Sequence, residues 1–561
     1  MNIVILSGGS GNDSLIKGLK SFYPRCDIKV IVNAYDNGKS TGICRQITNT
    51  LGVSDIRKNH ARLYETLTPD PNQCVLEFYN NRYDIKSPKD VEELLYNWGM
   101  DDLIPFSNNF FSRAEARTYN FNCFNISNII YSELYNNYGY EYVNNMMCSR
   151  FGIDDFVLLN SFDNVYLTAK TTSGRIIADE ADIVEYCNAE DKIIDVQFFA
   201  DNDLTYMYNA QELNPVAICA IQAADLLVIS TGTFWSSIYP TLKYGDFYTY
   251  INNSEAKKIW AINNTEDKDA YGVTADEFIH YMYELGLDLS TFKILLNTDA
   301  VATLSTSSTQ YDVKKWSMEN VEGKHNSVKY ARAILSEYYE VHSYDSYLFD
   351  FDDTLWARDS KKKDVSIENI KLLSQLGSKA TIVSGNSYNS IIQKLRTVLG
   401  TNPEGYDFYV CADANAVEYC HGNVVDVIKA FTFDTSTIRD YLRKRYAIHA
   451  TTNEHRTFLK IKPLQPRERI LAVDLLNEYL LPLLNCSCCV AKSTGKTTID
   501  IVHKSNTKGA WFALNERIKG TTLYVGDEFD NGNDTDIAKS CTHAIHTSGV
   551  DETNTVLRLI V

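Results

Sequence analysis

The chain has 561 residues, which is too long for a single hydrophobic core and predicts two or three domains. Hydrophobic residues make up 44% of the chain and charged residues 22%, as is typical of a globular protein. The net charge is 54 − 72 = −18, which argues against a nucleic-acid partner because proteins that bind a phosphate backbone usually carry a basic face.

The cysteines and the N-terminus indicate the compartment. The 13 cysteines are odd in number and irregularly spaced, so we expect no disulfide framework and predict a reducing, cytoplasmic location. Residues 1–9 have no basic start, and their apolar run is too short for a signal peptide. No apolar window approaches the ~18 residues of a membrane span. We therefore expect no membrane partner.

The first predicted elements open a doubly wound α/β domain. Residues 2–6 form an apolar run typical of a buried strand, and Gly8, Gly9, Ser10 and Gly11 follow it. An amphipathic helix comes next. Glycines between a strand and a helix let the backbone approach a phosphate at the helix N-terminus. A tight turn without a ligand is the alternative interpretation.

The second predicted strand, residues 28–32, leads to a misleading motif. Gly38 and Ser40 flank a lysine as at the end of a P-loop, but Asn33 stands where that motif requires glycine. This difference excludes a Walker-type nucleotide site. Further on, residues 54–59 place a carboxylate, a guanidinium and an amide on one predicted helix start. Such a group can bind a phosphate or a metal, or it can be solvated.

Two later strands end in polar residues. The buried strand predicted at residues 224–229 runs into Thr231, Gly232 and Thr233, whose amides and hydroxyls suit a phosphate or a ribose. The strand predicted at residues 258–262 ends at Asn263. These strands extend the predicted α/β domain.

In their order, these motifs resemble the CofD family of 2-phospho-L-lactate transferases, over roughly the first 310 residues. The resemblance implies transfer of a phospholactyl group from a guanosine diphosphate donor to a deazaflavin, with magnesium. The family includes gluconeogenesis factors, which bind nucleotide sugars, so a nucleoside diphosphate-linked ligand of guanosine or uridine type and a homodimer through this domain are implied. The ligand-binding residues implied are Gly8, Gly9, Ser10, Gly11, Asp36, Ser40, Thr41, Asp55, Arg57, Thr231, Gly232, Thr233 and Asn263.

The sequence also departs from the family pattern. The family usually reads Asp-Asp-Gly-Gly where this chain has Tyr35, Asp36, Asn37 and Gly38, so one carboxylate is lost. That carboxylate lies on the metal side of the family's site. The nucleotide site is therefore better kept than the transfer chemistry.

A domain boundary is predicted near residue 343, before a new apolar run. Residues 347–349 predict a strand that ends at Asp350 and Asp352. Because residues i and i+2 of a strand share a face, we expect these carboxylates side by side. Two close carboxylates indicate a divalent metal or an acid/base pair, whereas a simple acidic turn is the alternative.

Two further predicted strands end at the same edge. Residues 380–383 end at Ser384, and residues 522–525 end in an acidic loop that begins near Asp527. Lys508 opens the helix before that last strand. Ligands of parallel α/β sheets gather at the carboxyl ends of the strands, so the convergence predicts a phosphate and metal site.

These four motifs resemble the haloacid-dehalogenase (HAD) phosphatase superfamily. The resemblance makes Asp350 the nucleophile that forms an aspartyl-phosphate and Asp352 the acid/base. Thr354 steadies the turn, and Ser384 and Lys508 hold phosphoryl oxygens, with Lys504 as the alternative to Lys508. Magnesium is implied at Asp350, the main-chain carbonyl of Asp352, Asp527 and either Asp534 or Asp530.

About 120 residues separate Ser384 from Lys508, too many for a loop, so an inserted α/β cap is predicted. The segment at residues 409–416 resembles the cap entry of the subgroup with phosphomannomutase, sucrose-phosphatase and Cof-type phosphatases, which act mainly on sugar phosphates. The predicted domains are 1–343 and 344–561, the latter with a core of 344–408 and 496–561 and a cap of 409–495. Cap residues that could grip a substrate anion, or form a solvated strand face, are His455, Arg456, Lys460 and Lys462.

The sequence thus predicts two Rossmann-like doubly wound α/β domains. The leading hypothesis is a bifunctional small-molecule enzyme, in which a nucleotide-dependent transferase is joined to a magnesium-dependent phosphatase acting on a sugar phosphate or similar ester. A shared chain would raise the effective concentration of a common intermediate. The alternative is a first domain that binds a nucleotide sugar without catalysis and regulates the phosphatase.

Overall fold

A largely parallel β-sheet lies in each of the two units into which the chain divides, Met1–Tyr338 (unit 1) and Tyr339–Val561 (unit 2). Within the residues described, none of the helices combines the length and the apolar character that crossing a bilayer requires. The structure, a computed structural model, describes residues 1–9, 12–153, 157–201, 203–209, 211–263, 267–298, 310–319, 325–400, 407–413, 415, 417–427, 436–446, 450–453, 456–461, 466–494, 498–529 and 532–561.

Unit 1 alternates strands and helices along most of its length. Its strands are β1 (Asn2–Leu6), β2 (Asp27–Val32), β3 (Tyr83–Ile85), β4 (Phe121–Phe124), β5 (Val157–Leu159), β6 (Tyr166–Thr171), β7 (Ile176–Ile177), β8 (Ile193–Phe199), β9 (Leu226–Ile229), β10 (Lys257–Ala261), β11 (Phe292–Asn297) and β12 (Asp312–Trp316). Its helices are α1 (Asp13–Phe22), α2 (Lys39–Thr48), α3 (Ser54–Leu67), α4 (Gln73–Asn80), α5 (Pro88–Asn97), α6 (Ile104–Ser112), α7 (Ile126–Tyr138), α8 (Tyr140–Phe151), α9 (Glu180–Val184), α10 (Pro215–Gln222), α11 (Tyr239–Lys243), α12 (Tyr248–Asn252), α13 (Ala275–Leu285) and α14 (Ser327–Tyr339).

Unit 2 follows the same alternation, with further strands between its core elements. Its strands are β13 (Ser346–Phe349), β14 (Ala380–Val383), β15 (Tyr409–Ala412), β16 (Val417–Cys420), β17 (Asn423–Val427), β18 (Ala450–Asn453), β19 (Arg456–Ile461), β20 (Cys489–Thr494), β21 (Thr498–His503), β22 (Thr522–Gly526) and β23 (His543–His546). Its helices are α15 (Lys363–Gln375), α16 (Tyr388–Leu399), α17 (Ser436–Tyr446), α18 (Pro466–Leu475), α19 (Leu481–Leu483), α20 (Lys508–Leu514), α21 (Thr535–Ser540) and α22 (Val550–Ile560).

The main sheet of unit 1 has seven strands in the order β12-β11-β10-β9-β1-β2-β5. Its paired strands run parallel. Parallel strands are buried on both faces and read as continuous apolar runs, which explains why β1 and β9 could be predicted from sequence. The chain order reverses between β1 and β9. A crevice for a ligand is expected at the carboxyl ends of strands at such a switch point.

The main sheet of unit 2 has the order β17-β16-β15-β14-β13-β22-β23. Five neighbouring strands of this sheet, β15, β14, β13, β22 and β23, run parallel to one another. The remaining two, β16 and β17, form an antiparallel edge. The first strand of the unit, β13, lies between β14 and β22, so the switch point adjoins the strand that ends before Asp350. The α/β class predicted for both units is confirmed.

The cap of unit 2 is a separate antiparallel sheet in the order β18-β19-β21-β20. Its own apolar cluster includes Ile438, Leu442, Ile499 and Ile501. The observed limits differ from the predicted cap of 409–495. β15 pairs with β14 in the core sheet, and β21 pairs with β19 and β20 in the cap. Polar–apolar patterns identify strands but not their partners, so the sequence could not assign these strands to a sheet.

The loop after β2 is held by a buried arginine. Arg45 is fully buried, and its Nη1 donates hydrogen bonds to the carbonyls of Tyr35 (3.2 Å) and Asp36 (3.3 Å). Its Nη2 donates to the carbonyl of Val165 (2.7 Å), and its Nε donates to that of Thr50 (3.3 Å). One side chain therefore fixes three separate segments of backbone.

We predict that Arg45→Ala lowers the free energy of unfolding by about 3 kcal/mol or more, because several buried carbonyls lose their donor. Hydrogen exchange measured by mass spectrometry should speed up in the peptides that carry β2 and β6. The matched control is Arg117→Ala at an exposed arginine, which should leave exchange in these peptides unchanged. Equal exchange in the two variants would contradict the assigned role of Arg45.

Candidate active site

Three neighbouring strands of unit 2 end in the residues predicted to carry chemistry. Asp350 follows β13, and its amide donates to the carbonyl of Val525 at 2.9 Å. Ser384 follows β14, and Asp527 follows β22. Because β14, β13 and β22 are adjacent and parallel, these residues lie at one edge of the sheet.

Carboxylates from two of these strand ends form a cluster with Asp534. One oxygen each from Asp350, Asp527 and Asp534 lies within 4.8 Å of the others. Asp350 is 6% exposed and Asp534 is fully buried. Burial, reinforced by the Asp534 carboxylate, raises the pKa of Asp527 to about 6. Burial also raises the pKa of Asp350, although the Lys508 ammonium opposes this change.

Lys508 supplies a positive charge to the cluster. Its Nζ donates to Asp350 Oδ1 and, at 2.6 Å, to Asp534 Oδ1. Burial alone would lower the pKa of Lys508, but the two carboxylates outweigh it and raise the pKa above its ordinary value. Three carboxyl groups therefore face a single ammonium. This balance and the all-oxygen donor set fit a divalent cation such as Mg²⁺.

A helix cap and two hydrogen bonds position Lys508 and Asp534 in the carboxylate cluster. Lys508 is the first residue of α20, and the Thr507 hydroxyl caps that helix by accepting a hydrogen bond from the Ala510 amide at 3.2 Å. Asp534 accepts hydrogen bonds from the Tyr524 hydroxyl (2.7 Å) and from the Glu528 amide (3.1 Å). Sequence reasoning missed Tyr524, because a tyrosine within an apolar strand gives no sign that its hydroxyl contacts a carboxylate.

The two predicted hydroxyl residues have different partners. Thr354 Oγ1 donates to Asp527 Oδ1 at 3.2 Å, so this threonine positions the carboxylate cluster. Ser384 is 3% exposed, and its Oγ accepts a hydrogen bond from the Asn386 amide at 3.1 Å. Ser384 therefore lies at the predicted strand end, while its predicted contact with a phosphoryl oxygen stays a prediction.

The Asp352 carboxylate has partners outside the three-carboxylate cluster. It accepts hydrogen bonds from Asn386 and, at 3.1 Å, from Lys394 Nζ, and it is not in the three-carboxylate cluster. Because β13 ends at Phe349, before both residues, the two-residue periodicity of a strand does not apply to Asp350 and Asp352, and their side-by-side placement stays a prediction. The metal role predicted for Asp352 through its main-chain carbonyl stays a prediction.

The alternatives left open by the sequence are partly resolved. Lys508 is buried at the cluster, whereas Lys504 is exposed in the short turn before α20. Asp534 belongs to the cluster, and Asp530 lies outside the described residues. Of the cap residues, His455 and Lys462 also lie outside them, and the side chains of Arg456 and Lys460 are not described.

A second polar site lies at the switch point of unit 1. Gly8 and Gly9 follow β1, and a Cβ added to Gly8 would lie 2.5 Å from Ser237 Oγ in the π-helical turn after β9. The Gly232 amide donates to Asn263 Oδ1 at 3.1 Å, and Asn263 Nδ2 donates back to the Gly232 carbonyl at 3.0 Å. The predicted segments after β1, β9 and β10 are thus close together.

The turn after β9 also contains the predicted ligand residues Thr231 and Thr233. Thr231 is 4% exposed, and the Thr233 hydroxyl lies 2.6 Å from Ser236 Oγ. Ser10 and Gly11 lie outside the described residues. Thr231 and Thr233 therefore line the same turn that approaches Gly8.

Carboxylates also gather beside the Gly9 backbone. A Cβ on Gly9 would overlap Asp55 Oδ1 and lie 2.6 Å from Lys58 Cδ. Glu180 of α9, which the sequence reasoning missed, lies beside Asp36, and burial together with the Asp36 charge raises the pKa of Glu180 well above its ordinary value. Glu180 thus supplies a second carboxyl next to Asp36. No local motif connects the two residues, so only the fold could reveal it.

Three predicted ligand side chains of unit 1 have protein partners instead. Asn128 Nδ2 donates to Ser40 Oγ at 3.0 Å and to Thr41 Oγ1 at 3.2 Å. The Arg57 guanidinium is 5% exposed and donates to the Tyr79 carbonyl. These contacts join α2 and α3 to neighbouring helices, so a structural role accounts for Ser40 and Thr41. The Arg57 Nε is buried and has no hydrogen-bond partner among the described residues.

Comparison with known proteins supports the reading of unit 1. The family model of 2-phospho-L-lactate transferase CofD matches residues 3–332. The chain belongs to the CofD family. The gluconeogenesis factor of Bacillus subtilis is 22% identical to this chain over 262 residues, which cover 46% of this chain and 67% of that protein.

Two solved structures resemble parts of the chain. A UPF0052-family protein from Bacillus halodurans has 18% identity and a TM-score of 0.46, covering 60% of this chain and 99% of that one. An N-terminally truncated IMP-nucleotidase from Plasmodium falciparum has 17% identity and a TM-score of 0.32, covering 42% and 74%. Both TM-scores are below 0.5, so the fold of each unit rests on its own strand order.

We predict that Gly526→Ala abolishes the thermal stabilisation of unit 2 by Mg²⁺. An added Cβ would overlap Asp534 Oδ2 and lie 2.9 Å from Tyr524 Cε1, so Asp534 would be displaced from the cluster. At 100 times its Kd, a bound ion stabilises the folded state by about 2.7 kcal/mol, which a thermal melt with and without Mg²⁺ detects.

The matched control for this measurement is Gly385→Ala. A Cβ on Gly385 meets no atom within 4 Å, so this variant should keep the shift in melting temperature. A full magnesium shift in Gly526→Ala would contradict the assignment of Asp534 as a ligand.

Proposed function

We propose that unit 2 is a magnesium-dependent phosphatase of the HAD type, acting on a sugar phosphate or similar ester through an aspartyl-phosphate. The observation that carries this proposal is the buried cluster of Asp350, Asp527, Asp534 and Lys508 at the switch point of the sheet. A negative cluster with one fixed ammonium suits a bound cation and a phosphoryl group, because phosphoryl transfer depends on positioning and charge neutralisation.

In the first step, an oxygen of Asp350 attacks phosphorus and the ester P–O bond breaks. Lys508 contacts Asp350 Oδ1, which leaves Oδ2 as the attacking atom and fixes its orientation. Magnesium held by Asp350, Asp527 and Asp534 would neutralise charge on the phosphoryl oxygens. The leaving oxygen takes a proton from Asp352.

In the second step, water attacks phosphorus and restores the Asp350 carboxylate. Asp352 takes the proton of that water as the P–O bond to Asp350 breaks and phosphate leaves. The ion pair of Asp352 with Lys394, at 3.1 Å, holds this carboxylate in place. A proton donated in the first step is thus recovered in the second.

We predict that Asp350→Asn lowers phosphate release from sugar phosphates by about 10⁴-fold or more, because the amide cannot act as the nucleophile. Phosphate release is measured on a panel of hexose and triose phosphates. Acid-quenched wild-type enzyme should carry phosphate on the peptide with Asp350.

The control is Asp353→Asn, the same substitution at another aspartate of the same turn. Asp353 accepts a hydrogen bond from the Arg358 amide at 3.1 Å and is not in the carboxylate cluster, so its activity should stay near wild type. Phosphate release that survives in Asp350→Asn would overturn the nucleophile assignment.

For unit 1 we propose a CofD-type, nucleotide-dependent phospho-acyl transferase that binds a guanosine or uridine diphosphate compound between the Gly8–Gly9 turn and the turn after β9. Membership of the CofD family supports this proposal. Ser237 lies against Gly8, and Asp55 lies against Gly9, where a Cβ would be, so the absence of a side chain at both glycines keeps this backbone turn next to the predicted ligand residues. Glu180 beside Asp36 would restore the second carboxyl that the sequence motif lacks.

The second candidate function is a nucleotide-sugar sensor that regulates the phosphatase without catalysis. The contacts of Ser40 and Thr41 with Asn128, and of Arg57 with the Tyr79 carbonyl, favour it. Side chains with structural partners are less available to a reacting substrate. The two candidates differ in whether nucleotide is consumed.

We predict that Gly9→Ala weakens binding of guanosine and uridine diphosphates by about tenfold or more, because the new Cβ overlaps Asp55 and Lys58. Isothermal titration calorimetry of the full chain measures the affinity. Gly385→Ala in unit 2 is the same substitution in open space and should bind as wild type. Unchanged affinity in Gly9→Ala would place the nucleotide elsewhere.

A product search separates the transferase from the sensor. Incubation with a nucleoside diphosphate donor and candidate acceptors should release the free nucleotide if unit 1 transfers a group. Binding without consumption, together with a changed phosphatase rate, would instead establish the sensor.

A further inference from the structure

An arginine of the cap lies against the acidic loop of the phosphatase core. Arg469 belongs to α18 and is 13% exposed, and its Nη2 lies 3.7 Å from Glu528 Oε2. Glu528 directly follows Asp527, and its amide donates to Asp534 Oδ2 at 3.1 Å. The guanidinium therefore lies beside the loop that carries two of the three clustered carboxylates.

The hydrogen-bond donors of Arg469 are left unused. Its Nε and Nη1 are buried and have no hydrogen-bond partner among the described residues. The 3.7 Å separation from Glu528 is an ion-pair distance and too long for a hydrogen bond. Buried donors are almost always paired, so two orphaned nitrogens on one guanidinium call for an acceptor that is supplied from outside the chain.

A second orphaned group comes from the neighbouring cap strand. Ser493 of β20 is 2% exposed, and its Oγ has no hydrogen-bond partner among the described residues. The Ser493 backbone forms a parallel bridge with Gly532 in the same acidic loop. Lys492, next to it, forms an ion pair with Asp536 of the core. The cap thus contacts this loop through both α18 and β20.

We propose that Arg469 and Ser493 form an anion subsite on the cap, which binds a second negative group of the substrate. The substrate class is then a phosphate ester that also carries a carboxylate or another phosphate. An unused N–H of the Arg469 guanidinium can donate to such an anion, and the Ser493 hydroxyl can add a second donor. This inference rests on the proposed phosphatase function, because the subsite is defined relative to its acidic loop.

The competing explanation is a latch, in which Arg469 only holds the cap against Glu528. A latch would act equally on every substrate, whereas an anion subsite discriminates between esters that differ by one negative group. Substrate pairs with matched carbon skeletons separate these effects. Glucose 6-phosphate and 6-phosphogluconate test a carboxylate, and fructose 6-phosphate and fructose 1,6-bisphosphate test a second phosphate.

The experiment compares kcat/KM for both members of each pair in wild type, Arg469→Ala and Arg469→Lys. For at least one pair, we expect wild type to prefer the more anionic ester. Arg469→Ala should reduce that preference by about 10-fold to 100-fold, the usual value of a charge-assisted hydrogen bond, mainly through KM. Arg469→Lys should recover part of it. Arg443→Ala, at an exposed arginine of the same cap, is the matched control and should keep the preference.

Binding to Asp350→Asn, measured by calorimetry, gives a readout that needs no turnover. The more anionic ester of one pair should bind more tightly, and adding Arg469→Ala should remove that difference. An equal loss of kcat/KM on both members of a pair would establish the latch and overturn the subsite. A wild type with no preference for the more anionic ester would also overturn the subsite. Wild type that binds the anionic ester but hydrolyses none would count against the phosphatase while leaving the subsite standing.

Discussion

The organisation of unit 2 depends on one electrostatic constraint at the end of β13. Asp350, Asp527 and Asp534 are within 4.8 Å of one another, and like charges this close cannot all stay ionised in a buried place without compensation. Lys508 compensates one of them and contacts two. The strand order, the helix start at Lys508 and the Gly526 backbone all serve to hold these charges together.

The same topological rule explains why both units have a polar site. In each sheet, a strand near the start of the unit lies between strands from distant parts of the chain. The connections leave on opposite sides, and the carboxyl ends of the strands are open. Residues that directly follow a strand are therefore gathered whatever their separation in sequence. This is why strand-end residues such as Ser384 and Asn263 could be predicted from sequence.

Side chains beyond the strand ends were less predictable. The two-residue periodicity that paired Asp350 with Asp352 holds only while the strand continues, and β13 ends at Phe349, before both residues. The contact of Arg57 with the Tyr79 carbonyl depends on how two helices pack, which no local pattern encodes. The resemblance that placed residues 409–416 at the cap entry likewise did not show that β15 joins the core sheet.

Buried polar side chains differ in whether they have hydrogen-bond partners. In unit 1, Ser40 and Thr41 have protein partners, so the fold itself accounts for burying them. In the cap, two nitrogens of Arg469 and the Ser493 hydroxyl are buried without hydrogen-bond partners among the described residues, and the fold alone does not account for them. Both adjoin the loop that carries Asp527 and Asp534. A single loop would then connect the cation site with the recognition of the rest of the substrate, because any movement of the cap that frees Arg469 also alters the surroundings of Glu528.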